Sequence, residues 1–179
     1  IESDVNRSYG LGLDTYESQR AKVIEERIRL LKPELVLDFH TTTAEQPDLL
    51  ITADRNNEVV QRFINASAIK DNLVVSPLND ITTVAQNFVA YEVSNSRLND
   101  DLYEQICTDI ERYLDGKMID QERTFYKMIG KILPEEEKSI DGLENFVYND
   151  ELQAIPSFLG SKAYKQDGTY AGFKLEKLV

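Results

Sequence analysis

The stretch Leu35-Val36-Leu37-Asp38-Phe39-His40-Thr41-Thr42-Thr43-Ala44 decides how this 179-residue chain reads. It opens apolar and turns polar at Asp38. A short apolar run with a polar end predicts a buried strand over 35–39 whose C-terminal end meets a site. In open α/β sheets, ligands gather at the carboxyl ends of strands. His40 is the only histidine in the chain, and imidazole serves both as a metal ligand and as an acid or base. Asp38 stands two residues earlier, so on a strand both side chains share a face, where a carboxylate can orient the ring. Sequence alone leaves a second reading open, a hydrogen-bonded histidine at a strand end with no further role.

Working outward, the residues before this strand predict a helix over 14–31. Asp14 and Glu17 have capping-box spacing, Ile24, Ile28 and Leu31 form an apolar stripe with Val23 beside it, and Lys32-Pro33 ends the run. Helix followed directly by strand suits an α/β sheet. Upstream lies Asp4-Val5-Asn6-Arg7. Its adjacent amide and guanidinium suit a carboxylate, although a polar loop accounts for the same tetrapeptide. The chain opens Ile1-Glu2-Ser3 without Met or a recognisable first element; the expectation is that an N-terminal portion is missing.

Downstream, strands are predicted over 49–52, 73–75 and 88–93, helices over 58–69 and 98–114, and a polar loop over 79–87. Glu92 interrupts the apolar run Phe88-Val89-Ala90-Tyr91. A carboxylate inside such a strand is costly unless it is paired, metal-bound or at the strand end, and burial raises its pKa toward the working range of a general acid or base. The alternative is an edge strand with Glu92 facing solvent. Cys107 reads as a small helix residue, with no histidine near it in sequence. Asp115-Gly116-Lys117 marks a candidate boundary between an α/β domain over 1–116, N-terminally incomplete, and a small β-rich domain over 117–179. The second part is read as a strand over 125–133, a charged turn over 134–138, and short β-like pieces at 146–148, 155–159 and 170–173. Tyr164 and Tyr170 are candidates for reaching back into a site.

Composition removes some functions. A formal net charge of −12 leaves no basic surplus for phosphate contacts, which argues against a nucleic-acid partner. It leaves room for a small anion held by one or two arginines. No apolar run reaches membrane-spanning length. A single cysteine rules out an internal disulfide and is compatible with a cytoplasmic setting.

Taken in order, Asp4-Val5-Asn6-Arg7, Tyr16-Glu17-Ser18-Gln19-Arg20-Ala21, Asp38-Phe39-His40-Thr41-Thr42-Thr43 and Tyr91-Glu92-Val93 resemble motifs of the aspartoacylase and succinylglutamate desuccinylase family. The tail from Ile155 to Tyr164 is similar to the aspartoacylase tail around its substrate-binding tyrosine. The resemblance implies a carboxypeptidase-like mixed sheet flanked by helices, a C-terminal β domain, and a zinc-dependent amidohydrolase acting on an N-acyl amino acid. It implies zinc, one ion per intact protein, held by His40 together with a His and a Glu from an upstream H-x-x-E motif. It further implies Glu92 as general acid/base, and Asn6, Arg7 and Tyr164 as residues that bind substrate carboxylates. A homo-oligomer is compatible with this reading.

The chain departs from the family pattern in five places. It contains no H-x-x-E. The segments after Glu92 and around Gln153-Ala154 are shorter than in the family. No basic residue occurs in Ile81-Thr82-Thr83-Val84-Ala85, where aspartoacylases carry an arginine. Ser161 stands where they have a glutamate, and the last two differences argue against N-acetylaspartate as substrate. Two further function classes remain open from the sequence: a non-catalytic protein that binds small carboxylates, and a carboxypeptidase-type peptidase.

Overall fold

Lys32 takes a left-handed conformation (φ 46°) and donates its N–H to the Ile28 carbonyl, closing the first helix just before Pro33 turns the chain into the sheet. The computed structural model describes residue 5 and residues 8–12, 14–76 and 81–178. Among these, the elements run α1 (Tyr16–Leu31), β1 (Val36–Thr42), β2 (Leu49–Thr52), α2 (Glu58–Ala66), β3 (Asp71–Val74), β4 (Phe88–Ser94), α3 (Asp100–Leu114), β5 (Thr124–Ile132), α4 (Pro134–Ser139), β6 (Ile155–Ser157), α5 (Lys162–Asp167) and β7 (Gly172–Leu178).

The strands form one seven-stranded mixed sheet in the order β1-β4-β2-β3-β5-β7-β6. β1 runs parallel to β4, β2 parallel to β3, and β3 parallel to β5, whereas β2 is antiparallel to β4 and β7 is antiparallel to both β5 and β6. The α/β class expected from the sequence is the one found.

β4 lies between β1 and β2 and is buried along its whole length, which is why its sequence is almost continuously apolar. Val89 and Tyr91 pack with Phe63 and Ile64 of α2 and with Ile106, Ile110 and Tyr113 of α3. Phe88 and Ala90 point to the other face, against Ala21, Ile24 and Ile28 of α1. Each large side chain fully buried in this way contributes roughly 1.5–3 kcal/mol. Under α3 the polar groups converge on Asp109, which is fully buried. Its carboxylate accepts from Tyr91 Oη (3.0 Å), Ser67 Oγ (2.7 Å) and the Ala68 N–H (2.9 Å), and Arg112 stands 3.2 Å away. The network ties α2 and α3 to the strand residue that precedes Glu92.

The strands after Gly116 extend the same sheet through the β3–β5 pairing. Leu49 and Leu73 of the central strands pack with Phe158, Tyr170, Phe173 and Leu175 of the C-terminal part. Gly172 sits where this part closes on itself: a Cβ there would stand 2.6 Å from the Ser157 carbonyl oxygen.

Several local expectations need correction. Thr15, not Asp14, caps α1, accepting from the Ser18 N–H, and Asp14 instead accepts from the Gln19 side chain. β1 runs on through Thr42 because β4 pairs with it as far as Ser94. Residues 134–138, read as a charged turn, form α4, with Pro134 at its start and the Glu136 side chain returning to the Leu133 N–H. Residues 146–148 lie in a turn and bend rather than a strand, and Phe146 has φ 64°, outside the extended region of regular strands. The helix α5 has no counterpart in the sequence reading.

Candidate active site at the ends of β1 and β4

The parallel register pairs Asp38 with Ala90 and His40 with Glu92. Partners in register share a face, so Asp38, His40 and Glu92 all lie on the side where Ala90 meets α1. Phe39 and Tyr91 lie on the opposite face and stack at 5.3 Å.

His40 Nε2 stands 2.8 Å from Asp38 Oδ2, and the other Asp38 oxygen accepts from the Phe39 N–H at 2.9 Å. Burial disfavours the Asp38 anion, but the hydrogen bond and charge of His40, with the Phe39 N–H, outweigh it and hold the carboxyl below the usual range. The carboxylate fixes the plane of the imidazole through one nitrogen and leaves Nδ1 as the ring atom on the other side.

Glu92 is only 9% exposed. Its register partner on the other side is Leu49 of β2, fully buried. Burial pushes the Glu92 carboxyl up to about 7; the His40 charge opposes this and the Asp38 charge adds to it. The open reading of Glu92 as a solvent-facing residue on an edge strand is overturned, because β4 is an inner strand and β1 is the edge.

Of the other residues singled out in the sequence, Asn6 and Arg7 lie outside the described residues. Tyr164 lies on α5, its ring packed against Phe158 (6.1 Å), Tyr170 (4.8 Å) and Phe173 (5.2 Å). That cluster includes Leu49, the neighbour of Glu92. The lysine Lys131 holds its ammonium 4.3 Å from the Tyr170 ring, so Tyr170 is engaged in packing and a cation–π contact.

Among the described residues, no three His, Cys, Asp or Glu side chains group so as to hold a metal ion. A catalytic zinc site takes three protein ligands; the described residues offer one imidazole and therefore do not by themselves fit such a site.

Sequence reasoning missed the loop between β1 and β2. Thr43 Oγ1 accepts from the Lys162 N–H and Gln46 Oε1 from the Phe158 N–H, both at 2.8 Å. The third of three threonines after His40 and a glutamine in a short polar loop give no signal of partners more than a hundred residues away.

This arrangement has solved counterparts. Murine aminoacylase 3 superposes with a TM-score of 0.64 over 99% of this chain and 78% of its own, at 19% identity. Succinylglutamate desuccinylase from Chromobacterium violaceum superposes with a TM-score of 0.71 over 100% of this chain and 68% of its own, at 13% identity. Succinylglutamate desuccinylase from Vibrio parahaemolyticus gives 0.65, over 100% of this chain and 66% of its own, also at 13% identity. The chain shares their fold. No family model matches the sequence, and no curated protein matches it. The desuccinylases carry one of the names in the resemblance read from the motifs, and at these identities what the neighbours share with the chain is architecture. Among the described residues, no helix is long and apolar enough to cross a membrane.

Proposed function

We propose that the protein hydrolyses the amide bond of an N-acyl amino acid, with Glu92 as general acid/base. The observation that carries this reading is the juxtaposition of a buried Glu92, its carboxyl raised to about 7, with the His40–Asp38 pair at neighbouring strand ends. A carboxyl poised near neutrality is present in both protonation states at working pH. As carboxylate, Glu92 takes a proton from water while the oxygen attacks the amide carbonyl. As carboxylic acid, it delivers that proton to the nitrogen as the C–N bond breaks, releasing a carboxylate and an amine. The likeness to an aminoacylase and to desuccinylases supports this reaction class. Asn6, Arg7 and Tyr164 are proposed to bind the substrate carboxylate, and a small-molecule N-acyl amino acid is the proposed partner.

Zinc belongs to the same proposal. His40 would supply one ligand, and the remaining donors would come from outside the described residues. Among the described residues no group of side chains holds a metal ion, and a protein that binds small carboxylates without turnover is the second reading. One experiment separates the two. The purified protein is analysed for zinc and assayed with N-acetyl and N-succinyl amino acids, beside Glu92→Gln and His40→Ala. Hydrolysis with about one zinc per chain, abolished in Glu92→Gln with zinc retained, supports the enzyme. Full turnover in Glu92→Gln removes Glu92 from the chemistry, and binding of the same compounds with neither zinc nor turnover establishes the second reading.

A further inference from the structure

The helix that carries Tyr164 is capped from the far end of the chain. Its own N-cap residue, Ser161, makes no side-chain cap bond. The Lys162 N–H, at the first position of α5, instead donates to Thr43 Oγ1 at 2.8 Å across 119 residues of sequence. Thr43 follows His40 by three residues. A helix of only six residues has little intrinsic stability, so its placement depends on such outside contacts.

A second bond holds the turn that leads into this helix. Phe158 has φ 60°, a strained conformation for an aromatic residue. Its N–H donates to Gln46 Oε1 at 2.8 Å. The Gln46 N–H donates in turn to Ser94 Oγ at 3.2 Å, and Ser94 Oγ donates to the Ala44 carbonyl at 2.7 Å. Ser94 is 1% exposed and lies two residues past Glu92 on β4. Asn145 adds a further strap, donating to the Glu45 carbonyl and accepting from the Leu159 N–H, each at 2.9 Å. The loop after His40, the strand end after Glu92 and the start of the Tyr164 helix are thus joined by one set of hydrogen bonds.

We propose that Thr43 and Gln46 are positioning residues that set where Tyr164 stands relative to Glu92, and so govern substrate affinity rather than the chemical step. This rests on the hydrolase reading above, in which Tyr164 binds the substrate carboxylate. Neither residue touches the reacting atoms. Thr43 acts by capping α5, and Gln46 by holding the strained Phe158 turn that aims it.

The test compares wild type with Thr43→Val, which removes the acceptor at nearly equal volume, Thr43→Ser, which keeps it, and Gln46→Met. Amide exchange at Lys162 and Phe158 is followed by NMR. Kinetics are measured on whichever of N-acetyl-aspartate, N-acetyl-glutamate and N-succinyl-glutamate the wild type hydrolyses. Thr43→Val is expected to speed Lys162 exchange by roughly tenfold, the equivalent of one lost hydrogen bond, and to raise KM by a similar factor with kcat within about twofold. Thr43→Ser restores both, and Gln46→Met speeds Phe158 exchange with the same rise in KM. Unchanged Lys162 exchange in Thr43→Val overturns the proposal whatever the activity. So does faster exchange with unaltered KM, or an equal loss of kcat in Thr43→Val and Thr43→Ser. A wild type that hydrolyses none of the three compounds overturns the hydrolase reading; their dissociation constants then replace KM, and a protein that also binds none of them sinks both.

Discussion

Glu92 and His40 are partners in the parallel register of β4 and β1, on one face of the sheet and one strand apart. Glu92 is sealed between His40 and the fully buried Leu49, whereas His40 stands on the edge strand with its side chain 29% exposed. A shielded carboxyl and an accessible imidazole are therefore presented side by side.

This pairing fixes a pH dependence of stability. The folded-state pKa of Glu92, about 7, lies above its ordinary value of 4.5. The folded protein holds this proton more tightly than the unfolded chain. The contribution is complete below about pH 4.5 and is lost as pH rises to about 7, a total on the order of 3 kcal/mol. Glu92→Gln cannot ionise. Relative to wild type it should gain stability between pH 5 and 8, by urea denaturation at each pH. A constant difference between the two proteins across that range would show that Glu92 does not titrate there.

Asp38→Asn removes the anion that faces His40 Nε2 while keeping the shape of the side chain. The expected outcome is a change of tautomer and ring order at His40, visible in its imidazole NMR signals. If the proposed hydrolysis occurs, a loss of roughly 10–100-fold in activity accompanies it. A histidine spectrum identical to that of wild type would mean that the aspartate does not orient the ring.

Asp109→Ala should be among the most damaging substitutions in the chain. It leaves Tyr91 Oη and Ser67 Oγ without their buried acceptor and removes the part-buried bond to the Ala68 N–H. A cost of about 3–5 kcal/mol is expected. Tyr91→Phe removes one of these bonds and should cost about 1 kcal/mol. Both are read by denaturant midpoints; a loss of under 1 kcal/mol in Asp109→Ala would contradict the network.

Gly172→Ala places a methyl 2.6 Å from the Ser157 carbonyl oxygen and 3.3 Å from Leu159 Cδ2. The clash is with backbone, so β6 must shift away from β7, at a cost of about 1–3 kcal/mol. Thermal melting measures it. An unchanged melting temperature would mean that the two strands separate freely at this point.

The sequence predicted the interior better than the edges. The apolar run of Phe88 to Val93 and the stripe of 98–114 are legible because a strand buried on both faces is almost continuously apolar and a helix buried on one face imposes period 3.6 on residue type. The stripe's helix starts at Asp100, where the Asn99 side chain accepts from the Leu102 N–H. Asp14 has the spacing of a cap although Thr15 caps α1, because capping chemistry tolerates a shift of one residue. Phe146-Val147-Tyr148 has strand composition without forming a strand because its apolar residues answer to tertiary packing, with Phe146 edge-on to Tyr126 at 5.2 Å.

By itself the sequence determined the α/β class, the succession of helices and strands from α1 through β5, and the chemical identity of His40, Asp38 and Glu92. These follow from local patterning and residue type. Only the tertiary structure decided that β1 and β4, 52 residues apart in register, lie side by side. Only it showed that Glu92 is enclosed rather than at an edge, and that Thr43 caps a helix 119 residues away. Strand pairing and long-range capping depend on backbone groups common to every residue, and side-chain sequence carries little record of which distant backbone each will meet.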